Sequence, residues 1–173
     1  VVAITASTVP GPEVRAVQLV LGMISLLIAA VAAASDRPAA DAAAIATTRV
    51  QVALDDLRLR LGLSVEVTAA PATGNPLLVS VEAPPASQSN FVLSFDPEFV
   101  AQLNDDELRA VVAHELGHVW IFTHHPYLQT ERLANSIAMR VVSRDALKSV
   151  YTKVWERSGA KADVIRVLGV EPQ

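Results

Sequence analysis

Apolar residues crowd one end of the chain. From Ala16 to Ala34 nineteen residues pass without a charge, preceded by Arg15. The strongly apolar part, Leu19 to Val31, leads into Ala32-Ala33-Ala34 and then Ser35-Asp36. A basic flank, a short apolar run and a small-residue exit describe a secretory signal peptide. The stretch is also long enough for a membrane anchor, and a buried Ala-rich helix is the bland alternative. Either export reading puts the rest of the chain outside the cytoplasm, because a basic N-terminal flank favours keeping that side in. The expected organisation is a signal or anchor segment over 1–34, an apolar helix, and one domain over 35–173. Val1 to Pro12 reads as a loose end and Ser35 to Ala40 as a linker.

Past the linker the pattern changes to segments of regular period. Asp41 to Leu61 has helical spacing, with Ile45, Val52, Leu57 and Leu61 apolar among charged residues, and Gly62 stops it. Leu63 to Thr68 alternates apolar and polar, as a half-buried strand does. Strands are expected again over Leu77–Ala83 and Phe91–Phe95, separated by loops rich in Pro, Gly and Asn. Asp96-Pro97 opens a helical turn carrying Phe99 and Val100.

Asn104 begins the most informative helix. Asn104 caps it and Glu107, three residues on, completes a capping box. Asp105, Asp106 and Glu107 put negative charge at the positive end of the dipole, so this acidic cluster has a structural reading. Leu108, Val111, Val112, Leu116 and Val119 form the apolar face, and Pro126 marks where the helix has ended. A second helix is expected from near Gln129 or Thr130 to about Tyr151 or beyond. Ala160 to Leu168 is weakly helical.

Composition narrows the chemistry. The chain has no cysteine, which excludes thiolate metal ligands, a thiol nucleophile and disulfides. Net charge is -4, from 14 basic and 18 acidic residues, without any basic run, so nucleic acid is a poor partner. Of the 173 residues 51% are hydrophobic but only 5% aromatic, and the excess is aliphatic.

The chemistry concentrates in His114-Glu115-Leu116-Gly117-His118. Four residues is just over one helical turn, so both imidazoles leave the same face and can hold one zinc ion. Glu115, rotated by about 100° from His114, reaches toward a water at the metal instead of ligating. It is the expected general base, taking the water's proton and passing it to a leaving amine. Gly117 lets another element approach closely. Catalytic zinc usually takes three protein ligands and one open position. Glu131, in the first turn of the next helix, is the third candidate, because a short connection makes the two helices antiparallel neighbours. Asn135, one turn on, can bond the far nitrogen of a ligand histidine. His124, His125 and Tyr127 are candidates for steadying an oxyanion, with a polar turn as the bland reading. Arg140 and Arg144 read as surface charge, and Trp120 and Trp155 as core.

The run NDDELRAVVAHELGHVW, Asn104 to Trp120, closely resembles the active-site helix of the HtpX-like and CAAX-prenyl-protease-like zinc metallopeptidases, which are gluzincins. In that group Glu-x-x-Ala-Asp on the next helix supplies the third ligand, and Glu131-Arg-Leu-Ala-Asn135 matches it with Asn in place of Asp. The resemblance, over about Leu63 to Val142, implies an α+β, zincin-like fold. A sheet of about three strands would pack on the HExxH helix and on the Glu-bearing helix that follows. It also implies a sheet-edge strand that binds substrate main chain, for which Phe91, Val92, Leu93 and Ser94 are the candidates. Two departures are plain: the connection from His118 to Glu131 is shorter than usual in that group, and the many membrane spans of its larger members are missing. The ImmA/IrrE-like peptidases are similar too, pairing HELGH with Glu-x-x-Ala-Asn.

The expected function is therefore a zinc endopeptidase acting on extended polypeptides, exported or membrane-anchored through residues 16–34. A non-catalytic zinc-binding module that holds extended peptides or a protein partner without cutting them is the alternative. The intact Glu115 argues against it, since a binder needs no general base.

Overall fold

The structure, a computed structural model, describes residues 39–83, 90–158 and Leu168. The chain divides into two compact units, Val1–Asp41 and Ala42–Gln173. The apolar segment 16–34 lies outside the described residues, as does all of 160–168 except Leu168. No helix among the described residues is long and apolar enough to cross a membrane.

The second unit is α+β. Helix α1 covers 39–60. Its buried face is Ala46, Val50, Ala53, Leu54 and Leu57, on one side of the helical period, with Leu61 buried just past its end. Ile45 and Val52, expected on that face, are instead 63% and 65% exposed. Gly62, at φ 70°, ends α1: its N–H donates to Leu59 O and the Leu63 N–H to Arg58 O, a Schellman closure.

Strands β1 (Glu66–Pro71), β2 (Val79–Glu82) and β3 (Asn90–Phe95) form one sheet in the order β1-β3-β2. β1 runs parallel to β3 and β2 antiparallel to it. Strand β3, which the sequence suggests as an edge, is the central strand: Val92 to Ser94 are paired with both neighbours, and Phe91 is paired with Val67 of β1. Phe91, Leu93 and Phe95 fill the core, and centrality suits a strand this apolar. The expected strands over 63–68 and 77–83 are shifted and trimmed to β1 and β2, because Asn75 to Leu78 turn first. The Leu78 N–H donates to Asn75 O, and Leu78 takes φ 63°. The outer edge of β1 is blocked by one side chain. Gln51 Oε1 accepts from the Ala69 N–H at 2.8 Å, and its Nε2 donates to Val67 O at 3.2 Å, as a paired strand residue would. Among the described residues, β2 presents the exposed sheet edge.

Asp96 caps α2 (Pro97–Ala101) by accepting from the Phe99 N–H. Helix α3 (Asp105–His124) opens with the Asn104–Glu107 capping box, complete in both directions. A 3-10 turn, Pro126–Leu128, reverses the chain into α4 (Glu131–Ala138), capped by Thr130. The single helix expected from about 129 to 151 is two helices. α4 stops at Met139, and α5 (Arg144–Ser158) starts after Ser143, whose Oγ accepts from the Ala146 N–H.

Glu107 ties α5 to α3. Its carboxylate, 6% exposed, accepts from Lys153 Nζ at 2.6 Å, from Ser149 Oγ at 2.6 Å and from the Asn104 N–H. Burial pushes its pKa up, but Lys153, Ser149 and the backbone outweigh that and hold it below the usual value. Glu107→Ala is expected to cost about 2–4 kcal/mol in urea unfolding at pH 7, since charged hydrogen bonds are lost around buried groups. A depressed folded pKa gives stability that is present above the unfolded pKa and lost as pH falls through the folded one. The gap between wild type and variant should therefore shrink below about pH 4.

Candidate active site

Four helices and two strands meet around a cavity of about 500 Å³, to which α2 and β3 contribute Phe99 and Phe91. α3 brings His114, Glu115 and His118 to it, α4 brings Glu131, α5 brings Tyr151, and β2 brings Val79 to Val81. The α3–α4 approach is set by a glycine. A Cβ on Gly117 would stand 2.5 Å from Ala134 O and 3.0 Å from Ala134 C and Cα. The missing side chain lets the backbones touch, which brings the first residue of α4 over the histidines.

His114 Nε2 lies 3.2 Å from Glu131 Oε2, His118 Nε2 lies 3.4 Å from Glu131 Oε1, and the two Nε2 atoms are 3.2 Å apart. Four donors at about 2.0–2.1 Å from a tetrahedral zinc are separated by about 3.3–3.4 Å. Two imidazole nitrogens and a carboxylate are a donor set that zinc accepts, and one ligand atom from each residue lies within 4.8 Å of the others. Hydrogen bonds from His114 and then His118 hold the Glu131 carboxyl well below the usual carboxylate range. The same contact with Glu131 raises the pKa of His118, against burial.

Each histidine is held from behind by a neutral amide oxygen. His114 Nδ1 is 2.8 Å from Asn135 Oδ1, and Asn135 is fully buried. His118 Nδ1 is 3.1 Å from Gln129 Oε1, while Gln129 Nε2 donates to the His118 carbonyl at 3.2 Å. An amide oxygen only accepts, so both Nδ1 atoms carry a proton, and Nε2, the nitrogen beside Glu131, is the one that binds a metal once it gives up its own. Glu115 points into the same cavity and is 8% exposed. Burial raises its pKa, against the pull of His114 and His118, and the Val81 backbone N–H bonds its carboxylate.

Residues 90–171 match peptidase family M48. The M48 match takes in β3 and all of α2 to α5, and supports a peptidase function for that stretch. No curated protein matches the chain. Among solved structures, the crystal structure of the metallopeptidase zymogen of Pyrococcus abyssi abylysin is similar to it. The TM-score is 0.47 at 14% identity, over 65% of this chain and 97% of that one.

Within the M48 stretch the structure brings together His114, Glu115, His118, Glu131 and Asn135, and leaves other candidates outside. His124 stacks on Trp120 with ring centroids 4.2 Å apart, His125 tilts toward the same ring, and Tyr127 is 97% exposed. None of the three lines the cavity. Arg140 lies over Trp120, and Arg144 donates to Leu168 O. Trp120 and Trp155, read as core, are half-buried.

Two residues of the site carry no clear mark in the sequence. Gln129 reads only as a helix start, and polar residues at helix starts are too common to signal more. Tyr151 packs edge-on against His114, with centroids 5.9 Å apart, and burial pushes its pKa up to about 12. The bend between α4 and α5 is what returns it to the site.

Proposed function

We propose that this protein is a zinc endopeptidase of HExxH…Glu type, with His114, His118 and Glu131 as ligands and Glu115 as general base. The observation that carries the reading is the convergence of two imidazole nitrogens on the Glu131 carboxylate, with N···N and N···O separations of 3.2–3.4 Å, beside the buried carboxylate of Glu115. Zinc bound there supplies the Lewis acidity that makes water a usable nucleophile at neutral pH and polarises a peptide carbonyl. Glu115 accepts the proton of the attacking water and delivers it to the departing amine. Asn135 and Gln129 keep the ligand imidazoles in the useful tautomer.

The substrate-binding strand in this reading is β2, in place of β3. Its outer edge faces the cavity, and an extended polypeptide adding there would run past Glu115. Phe99, Val111, Leu147, Val150 and Val154 line the interior of the cavity, which favours a large apolar side chain next to the scissile bond. Unfolded or extended polypeptides are therefore the proposed substrates. The apolar segment 16–34 supports a protein exported, or anchored with this domain outside the cytoplasm.

Purified protein should carry one zinc per chain and cut unfolded casein, with activity lost to a chelator and restored by zinc. Stoichiometric zinc without cleavage would favour the peptide-binding module instead. Glu131→Ala should weaken zinc binding beyond the roughly 10–100-fold expected for loss of a supporting hydrogen bond. Unchanged affinity in that variant removes Glu131 from the ligand set.

A further inference from the structure

Helix α1 leaves a second face uncovered. Ile45, Val52 and Leu59 are 63%, 65% and 70% exposed. They stand seven residues apart, so they form one row along the helix, on the side away from Leu54 and Leu57. Beside the row a groove of about 550 Å³ opens between α1 and α3, lined by Ile45, Val52, Ala53 and Leu108. A single exposed aliphatic side chain needs no explanation, but a row of three beside a groove marks an interaction surface. A lipid surface matches it poorly. A helix lying in a membrane interface carries Lys and Arg beside its apolar face, whereas this row is flanked by Asp41, Asp55 and Asp56 as well as Arg49. Mixed signs suit another protein surface.

The row is its own complement. Val52 is its midpoint, and turning the helix end for end about Val52 exchanges Ile45 with Leu59. At about 100° per residue, Arg49 and Asp56 both stand about 40–60° from Val52 on the same flank. Arg49 is three residues before the midpoint and Asp56 four after it. In two antiparallel copies they therefore come level to within about 1.5 Å along the axis. Both side chains have room to meet. Arg49 is 32% and Asp56 49% exposed, and the ion pairs Asp56 already makes, with Arg60 and Arg109, use only Oδ2. Parallel copies would instead set Asp55 against Asp56, acid on acid. We propose that this face binds a second copy of the chain, α1 against α1 in antiparallel order about a two-fold axis at Val52. Leu59 of each copy then covers Ile45 and the groove of the other. A two-fold interface must present one self-complementary patch on both sides, and the row meets that requirement. One helix and one groove make a smaller contact than the roughly 800 Å² per partner of stable complexes, so monomer and dimer should exchange at micromolar concentrations.

The chain has no cysteine, so one introduced thiol reports on one position. The full chain is used, and the position of the link is read, not the mere presence of dimer, since contact through segment 16–34 would also bring chains together. Val52→Cys, Ile45→Cys and Leu59→Cys are oxidised separately under mild conditions and run on a non-reducing gel. A disulfide needs Cα atoms about 4.4–6.8 Å apart. In the antiparallel pair the two copies of position 52 meet at the axis, whereas two copies of position 45, or of 59, stand about 21 Å apart. Val52→Cys should therefore link at least about fivefold more than either end variant alone. An equal mixture of Ile45→Cys and Leu59→Cys chains should link as well. Adding Val52→Glu to both should cut that link at least about tenfold, because it puts two carboxylates at the axis. All three positions are exposed, so the fold should be kept, and circular dichroism checks it. If Val52→Cys does not fold, the mixture tests the same register by itself. Failure of Val52→Cys or of the mixture to link overturns the proposal. So does linking of Ile45→Cys alone as readily as Val52→Cys, which would mark parallel pairing or random collision. Protection of the thiol at position 52 by anionic lipid vesicles, without a link, would assign the row to a membrane and overturn the proposal too.

Discussion

Glu115→Gln should keep its zinc and lose at least about 100-fold in kcat/KM on an unfolded substrate, with losses up to about 10⁴-fold within the range of general-base catalysis. Glutamine preserves the shape and still offers an oxygen to the Val81 N–H, but it cannot take a proton from water. The variant also has a stability signature that separates it from a damaged protein. Burial raises the Glu115 pKa in the fold, against His114 and His118. A raised carboxyl pKa means that this group's stability is full below the unfolded value and is lost as pH rises through the folded one. At neutral pH an ionised Glu115 therefore burdens the apoprotein and a glutamine does not. Thermal unfolding of apo Glu115→Gln should match or exceed wild type near pH 7, with the difference closing below about pH 4. Cleavage comparable to wild type would refute Glu115 as the base.

Gly117→Ala should be more damaging than its size suggests. In an unconstrained helix the change gains about 1 kcal/mol of propensity. Here the added methyl lands 2.5 Å from a backbone oxygen of α4, which has no rotamer to yield. Overpacking of this kind costs about 1–3 kcal/mol or more, so a net loss appears despite the propensity gain. The larger effect is on the site. α4 must lift off α3, and Glu131 and Asn135 travel with it, away from His114. Zinc affinity should fall at least about tenfold and peptide cleavage with it. Unchanged affinity in a folded Gly117→Ala protein would show that the two helices tolerate a wider spacing.

How much of this can be read from the residues follows from what each signal depends on. Helix α3 is legible because its capping box and acidic first turn are local, and HExxH needs only the helical period. Glu131 and Asn135 are legible because a short connection leaves two helices little choice but to lie side by side. Strand order is not. Nothing in Phe91–Phe95 says whether one neighbour or two will bind it, and the edge expected from sequence falls on the wrong strand for that reason. The bend at Met139–Ser143 is hidden because no Pro or Gly marks it. Ser143 followed by Asp145 is a start signal, but the apolar spacing runs through it. The hidden bend conceals Tyr151 as well: in one straight helix it would stand about 30 Å from Glu131.

The sheet order also divides the labour of the chain. In the proposed reading every side chain that holds or steers the metal comes from one stretch, His114 to Tyr151. The backbone that receives substrate comes from another, Leu77 to Ala83, which meets it at Val81 and Glu115. What is cut and how it is cut are thus written in separate segments. Exchanging the few residues around β2 would redirect the enzyme to other sequences without disturbing its metal, and selection acting on that edge is free to move independently of the catalytic centre.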